Sequence, residues 1–165
     1  MRLQAAKSKT SDSRLLPNVA SRTRVAVIRA DYNRDITLSL EQKCVESLLA
    51  AGIPNRNIGR FTVPGCFEIP ILAQRLAATG QYHAMIALGA VIRGETYHFD
   101  LVASECARGV MDVSLRHNVP IIFEVLATYN RRDALRRAGK NNSNKGIEAA
   151  HAALSLLGTL SEIKS

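Results

Sequence analysis

The segment Gly89-Ala90-Val91-Ile92-Arg93-Gly94-Glu95-Thr96-Tyr97-His98-Phe99-Asp100 gathers an imidazole, a hydroxyl and charges of both signs around two glycines. His98 is its natural proton carrier, because histidine changes charge near neutral pH and can both give and take a proton there. Gly89, Gly94 and Thr96 have the spacing of a phosphate-binding P-loop, but Glu95 stands where that loop needs lysine. A carboxylate would repel the terminal phosphates that the lysine must reach, which argues against nucleoside triphosphate chemistry.

Two further stretches could meet a ligand. Pro64-Gly65-Cys66-Phe67-Glu68 combines a glycine that lets backbone come close, a ring that can stack, and a carboxylate at a helix start, where the dipole favours its ionised form. Tyr32-Asn33 offers a second aromatic face.

These stretches need a frame, and the periodicity supplies one. Apolar runs predict strands over Arg24–Ala30, Ile58–Val63, His83–Leu88 and Val119–Leu126. Between them, helical spacing predicts helices over roughly Thr37–Ala51 (Leu38, Val45, Leu48, Leu49), from Ile69 with Leu72 and Leu76, and through Val102, Cys106, Val110 and Val113. Pro70 is tolerable only in the first turn of its helix. A short helix near Arg131–Ala138, a polar turn from Gly139 to Gly146 and a last helix with Ile147, Ala150, Leu154 and Leu157 complete the chain. Strands alternating with helices predict a single-domain, three-layer α/β/α fold with a four-stranded parallel sheet. Right-handed crossovers then bring the loops after the strands to one edge, where such folds place their sites.

Composition narrows the classes. The chain has 165 residues and a formal charge of +8, of which residues 1–24 hold +5: Arg2, Lys7, Lys9, Arg14, Arg22 and Arg24 against Asp12 alone. Residues 1–21 are therefore expected to be a basic tail without fixed structure, and 22–165 the α/β domain. An organelle-targeting leader or a nucleic-acid-binding arm fits the tail less well than a solvated extension does. No apolar run approaches the ~20 residues of a membrane helix, and neither a secretory signal nor an aromatic–basic patch in the folded part is seen. The expectation is a cytoplasmic protein that binds neither membrane nor nucleic acid. Cys44, Cys66 and Cys106 lack zinc spacing and read as reduced, buried thiols.

In this order, the Tyr32-Asn33 loop, Val63-Pro64-Gly65-Cys66-Phe67-Glu68-Ile69-Pro70, the Gly89–Asp100 segment, Arg137-Ala138-Gly139 and Asn144-Lys145-Gly146 resemble the lumazine synthase family over about residues 22–160. The resemblance implies a flavodoxin-like fold and the penultimate step of riboflavin biosynthesis. In that step 5-amino-6-(D-ribitylamino)uracil condenses with 3,4-dihydroxy-2-butanone 4-phosphate to 6,7-dimethyl-8-ribityllumazine, releasing phosphate and water. This is a transferase reaction with no metal or other cofactor. By the same resemblance Tyr32 stacks on the aminouracil, and Cys66, Phe67, Glu68, the Ala90, Val91 and Ile92 backbone and Phe123 complete its pocket. Glu95, Thr96 and Arg137 meet the ketone phosphate, Lys145 adds a cation, and His98 is catalytic. Phe123 and Arg137 are implied to come from a neighbouring subunit of a pentamer, with a sixty-subunit icosahedral shell among the assemblies and riboflavin synthase as a candidate partner. The compact Lys140–Ser143 turn is similar to that of shell-forming members.

Taken singly, each residue has a plainer reading: His98 as an exposed loop residue, Arg137 as a solvated helix end, Phe67 and Phe123 as core, Lys145 as part of a cap. His83, His117 and His151 are read as structural. Tyr32, where the family usually has phenylalanine or tryptophan, and Glu124-Val125-Leu126-Ala127, where it runs close to Gly-Val-Leu-Thr, depart from the pattern. A non-catalytic lumazine or flavin binder on the same scaffold is the alternative function.

Overall fold

In the computed structural model, residues 17–163 are described, with side chains from Val19 onward. Most of the expected tail thus lies outside the described residues. Its end, Pro17–Ala20, forms a short helix, α1, whose Ala20 is buried. The order then runs β1 Val25–Ala30, α2 Arg34–Ala50, β2 Ile58–Val63, α3 Ile69–Ala78, β3 Ala84–Ile92, α4 His98–His117, β4 Ile121–Thr128, α5 Arg131–Arg137 and α6 Lys145–Ser161.

All pairings are parallel and the strand order is β2-β1-β3-β4, the flavodoxin-like order with one strand fewer. β1 is buried at every position, as a central parallel strand covered on both faces must be, whereas edge strand β2 alternates. Val25 and Val27 pack with Leu40, Cys44 and Leu48 of α2 and Ala149, Ala150, Ala153 and Leu154 of α6. Ala26, Ile28 and Ala30 pack on the opposite face with Ile69, Ala73 and Leu76 of α3 and Cys106, Val110 and Val113 of α4. The three layers follow directly from this alternation.

Three details differ from the periodicity. α2 starts at Arg34, so Arg34 and Asp35 belong to the helix and not to the loop; its buried face is Ile36, Leu40, Cys44, Val45 and Leu48, while Leu49 is exposed. β3 continues past Leu88 to Ile92, because β4 pairs with it as far as Thr128. A third of the Gly89–Asp100 segment, Gly89 to Ile92, is therefore strand. Finally, α6 begins hard against α2: a Cβ on Gly146 would lie 2.1 Å from the Leu40 carbonyl oxygen. Buried Asn144 caps the helix there, accepting from the Gly146 amide at 2.8 Å and donating to Gly139 O at 2.8 Å.

Candidate active site

At the C-terminal edge of the sheet the loops after β1, β2 and β3 surround an open cleft of about 780 Å³. α2 leaves β1 toward one face and α4 leaves β3 toward the other, so the adjacent loops part and a crevice opens between them. Tyr32, Asn33, Pro64–Glu68, Ala90–Ile92, Gly94, Thr96, His98, Phe99, Leu101 and Val102 line it.

The β1 loop is stitched to its neighbours. The Asp31 amide donates to Val63 O at 2.8 Å and the Tyr32 amide to Pro64 O at 3.0 Å. Beneath them Arg29, 4% exposed, donates to Glu41 at 2.9 Å, Asp31 at 2.8 Å and Thr62 at 3.2 Å. The Arg29 hydrogen bond, helped by Arg34 and opposed by desolvation, lowers the Asp31 carboxyl below its ordinary value. The Tyr32 ring stays exposed, as a stacking platform must be before its ligand arrives. Asn33 reaches across and donates to Ala90 O at 2.9 Å.

The β2 loop is equally tied down. Glu68 turns one carboxylate oxygen back to accept the Gly65 amide at 2.9 Å, bracing the 3₁₀ turn Cys66–Glu68. Cys66 packs over Gly89 so closely that a Cβ there would stand 2.5 Å from Sγ and 3.2 Å from Val125. Glycine at 89 is what lets the thiol sit there. Burial pushes the Cys66 thiol up to about 11 although the Ala90 backbone hydrogen bond favours its thiolate, so it serves as a neutral wall and not as a nucleophile. Cys44 and Cys106 are also buried, free and pushed up to about 12 by desolvation.

His98 opens α4, exposed on the cleft wall, and none of the described residues hydrogen-bonds its imidazole. It is thus available to a substrate. Among the described residues no group of three or more His, Cys, Asp or Glu side chains is placed to hold a metal ion.

Sequence comparison gives this geometry a family. The profile of 6,7-dimethyl-8-ribityllumazine synthase matches residues 22–161. The chain is 44% identical over 153 residues to a protein of that name from Cytophaga hutchinsonii, covering 93% of this chain and 96% of the relative. It is 39% identical over 137 residues to one from Protochlamydia amoebophila, covering 83% and 80%. The chain belongs to the 6,7-dimethyl-8-ribityllumazine synthase family.

Within this chain the cleft brings together Tyr32, Cys66, Phe67, Glu68, Ala90, Val91, Ile92, Thr96 and His98. Four residues expected at the site do not line it. Glu95 is exposed on the turn, outside the lining; Phe123 lies on edge strand β4, 39% exposed. Arg137 ends α5 and donates to its own helix at Asp133 O, 3.0 Å away. Lys145 opens α6 with its ammonium on the Glu148 carboxylate. Burial pushes the nearby Glu124 carboxyl up to about 7, with Lys145 lowering it and Glu148 raising it.

Sequence reasoning missed Asn33 as a bridge, and Leu101 and Val102 as cleft wall. A signal for the last two existed: they follow His98 by three and four residues, one helical turn, and so share its face. Asn33 had no such signal, since its partner is a backbone carbonyl far along the chain.

Proposed function

We propose that this chain condenses 5-amino-6-(D-ribitylamino)uracil with 3,4-dihydroxy-2-butanone 4-phosphate to 6,7-dimethyl-8-ribityllumazine, with release of phosphate and water. The observation that carries the reading is one cleft holding an exposed aromatic platform, a braced glycine turn, the Ala90–Ile92 end of β3 and an unpaired histidine, in a chain of this family. The planar uracil lies on Tyr32 against the Ala90–Ile92 backbone, with the ribityl chain toward Cys66–Glu68. The substrate's own amine attacks the ketone carbonyl, so no protein nucleophile is required. Imine formation expels the carbonyl oxygen as water. Phosphate then leaves with its C–O electron pair as a neighbouring carbon loses a proton, and the second amine closes the ring with loss of a further water. His98 carries protons among these steps. No cofactor enters.

The Glu95–Thr96 turn receives the phosphorylated ketone, and Arg137, with Lys145 beside it, supplies the cation. A guanidinium fork suits a phosphate's oxygens. Because Arg137 and Phe123 lie outside their own chain's cleft, they serve the cleft of a neighbouring copy, in a pentamer or an assembly of pentamers. Exposed Phe67 and Ile71 at the start of α3 and Leu101, Met111 and Leu115 on α4 support such packing. Residues 22–165 form the catalytic unit, and of the segment before it Ala20 packs into the α2–α6 side of the core. The setting is the cytoplasm, and riboflavin synthase, which consumes the product, is the partner. No helix of the described residues is long and apolar enough to cross a membrane. A merely lumazine-binding role would leave His98 in the cleft without a task.

Mixing the purified protein with both substrates should generate lumazine absorbance and stoichiometric phosphate. Well-folded protein that produces neither would sink the enzyme reading.

A further inference from the structure

β1 stops short of β3. Their ladder ends at Arg29 opposite Leu88, whereas β3 runs on to Ile92 paired with β4 alone. The Met85 and Arg93 amides donate toward β4, to Pro120 O and Thr128 O. With a period of two along the strand, the peptide groups of even-numbered residues, Ala90 included, therefore face the side that β1 has vacated. Ala90 is 2% exposed, so its carbonyl has little access to water and needs a partner.

Asn33 is that partner, donating from Nδ2 to Ala90 O at 2.9 Å. It gives up another role to do so. An asparagine directly before a helix ordinarily has extended backbone and accepts a hydrogen bond from a first-turn amide. Asn33 instead sits in the left-handed region, φ 56 and ψ 46, and makes no side-chain cap bond. Asparagine is among the few residues other than glycine that visit this region readily. The combination aims its amide across the crevice at β3.

The Tyr32 ring is 73% exposed, so its position depends on its own backbone. Tyr32 N to Pro64 O ties that backbone toward β2, and Asn33 ties it toward β3. We infer that Asn33 is a positioning residue: by bridging to Ala90 it sets the gap between the Tyr32 ring and the Ala90–Ile92 backbone into which the flat aminouracil slides. The inference rests on the function proposed above and adds to it a residue that governs one substrate and not the other.

Asn33→Gly isolates the bond, because glycine keeps the left-handed backbone without strain. It should raise the KM for the aminouracil about tenfold, the loss expected when a buried carbonyl goes unpaired, while the KM for the ketone phosphate stays put. Asn33→Asp, near-isosteric and also tolerant of this backbone, presents an acceptor to the carbonyl and should raise the aminouracil KM at least as far. An unchanged aminouracil KM in either folded variant overturns the inference. So do equal losses for both substrates, which would mark a purely structural residue. Wild-type protein that makes no lumazine would instead bring down the parent reading, and this one with it.

Discussion

The two halves of the cleft are built differently. The half formed by the β1 and β2 loops is cross-braced: Asp31, Tyr32, Asn33 and Gly65 each send a hydrogen bond to a neighbouring loop, strand or turn, and Arg29 locks the base. The turn from Arg93 to Tyr97 is exposed throughout, tied back by Arg93 N to Thr128 O and by the Arg93 guanidinium over the Tyr129 ring, 5.5 Å from its centre. A rigid flat slot suits a planar heterocycle, whose recognition depends on a fixed gap. In the proposed reaction a small phosphorylated ketone is held mainly by charge, and the cations proposed for it, Arg137 and Lys145, stand on α5 and α6, outside the lining of their own chain's cleft. Under the proposed function, the slot for the heterocycle is built within one chain apart from Phe123, whereas the cations for the ketone phosphate all come from a neighbour.

Variants can break that division. The largest effect is expected at its hinge, His98, the proposed proton carrier for both substrates: His98→Ala should lower kcat by roughly 10²–10⁴ with the fold and assembly intact. An unchanged rate would remove His98 from proton transfer. Arg137→Ala comes next. Loss of a charged hydrogen bond should weaken use of the ketone phosphate by roughly ten- to a hundredfold and leave the aminouracil KM alone, the mirror image of Asn33→Gly. If both KM values rise together, the two halves are not independent.

The smallest effect concerns the stability of the cation flank. Glu124 faces Lys145 and Glu148, and burial pushes its carboxyl up to about 7. A raised carboxyl means that the folded state holds the proton more tightly than the unfolded chain does. Ionisation therefore costs stability as pH climbs from the ordinary carboxylate range to about 7, and the cost is fully present above that. Glu124→Gln should raise Tm by a few degrees at about pH 8, with the gain shrinking toward pH ~4. A gain that ignores pH would mean that Glu124 is not the titrating group. Partial exposure keeps this effect modest.

Much of this was legible in the chain. Apolar periodicity located every strand, because a strand buried on two faces must be a nearly continuous apolar run, and it located the main helices through their three- and four-residue stripes. Its boundaries slipped where tertiary pairing overrode local pattern: Gly89 looks like a strand breaker, yet β4 carries β3 through it. The site motifs were legible as types of chemistry, a proton carrier, stacking rings and a glycine turn, since those properties belong to side chains.

What the sequence by itself determined, then, is the alternating α/β order, the family and the cast of reactive residues, all consequences of local pattern and residue chemistry. The tertiary structure alone decided which of them meet. It put Cys66 over Gly89, turned Asn33 from a helix cap into a bridge, and left Arg137 and Phe123 outside their own chain's cleft. Those outcomes depend on where β1 ends relative to β3 and on which way each helix leaves the sheet. Such relations join residues distant along the chain, and no local spacing records them.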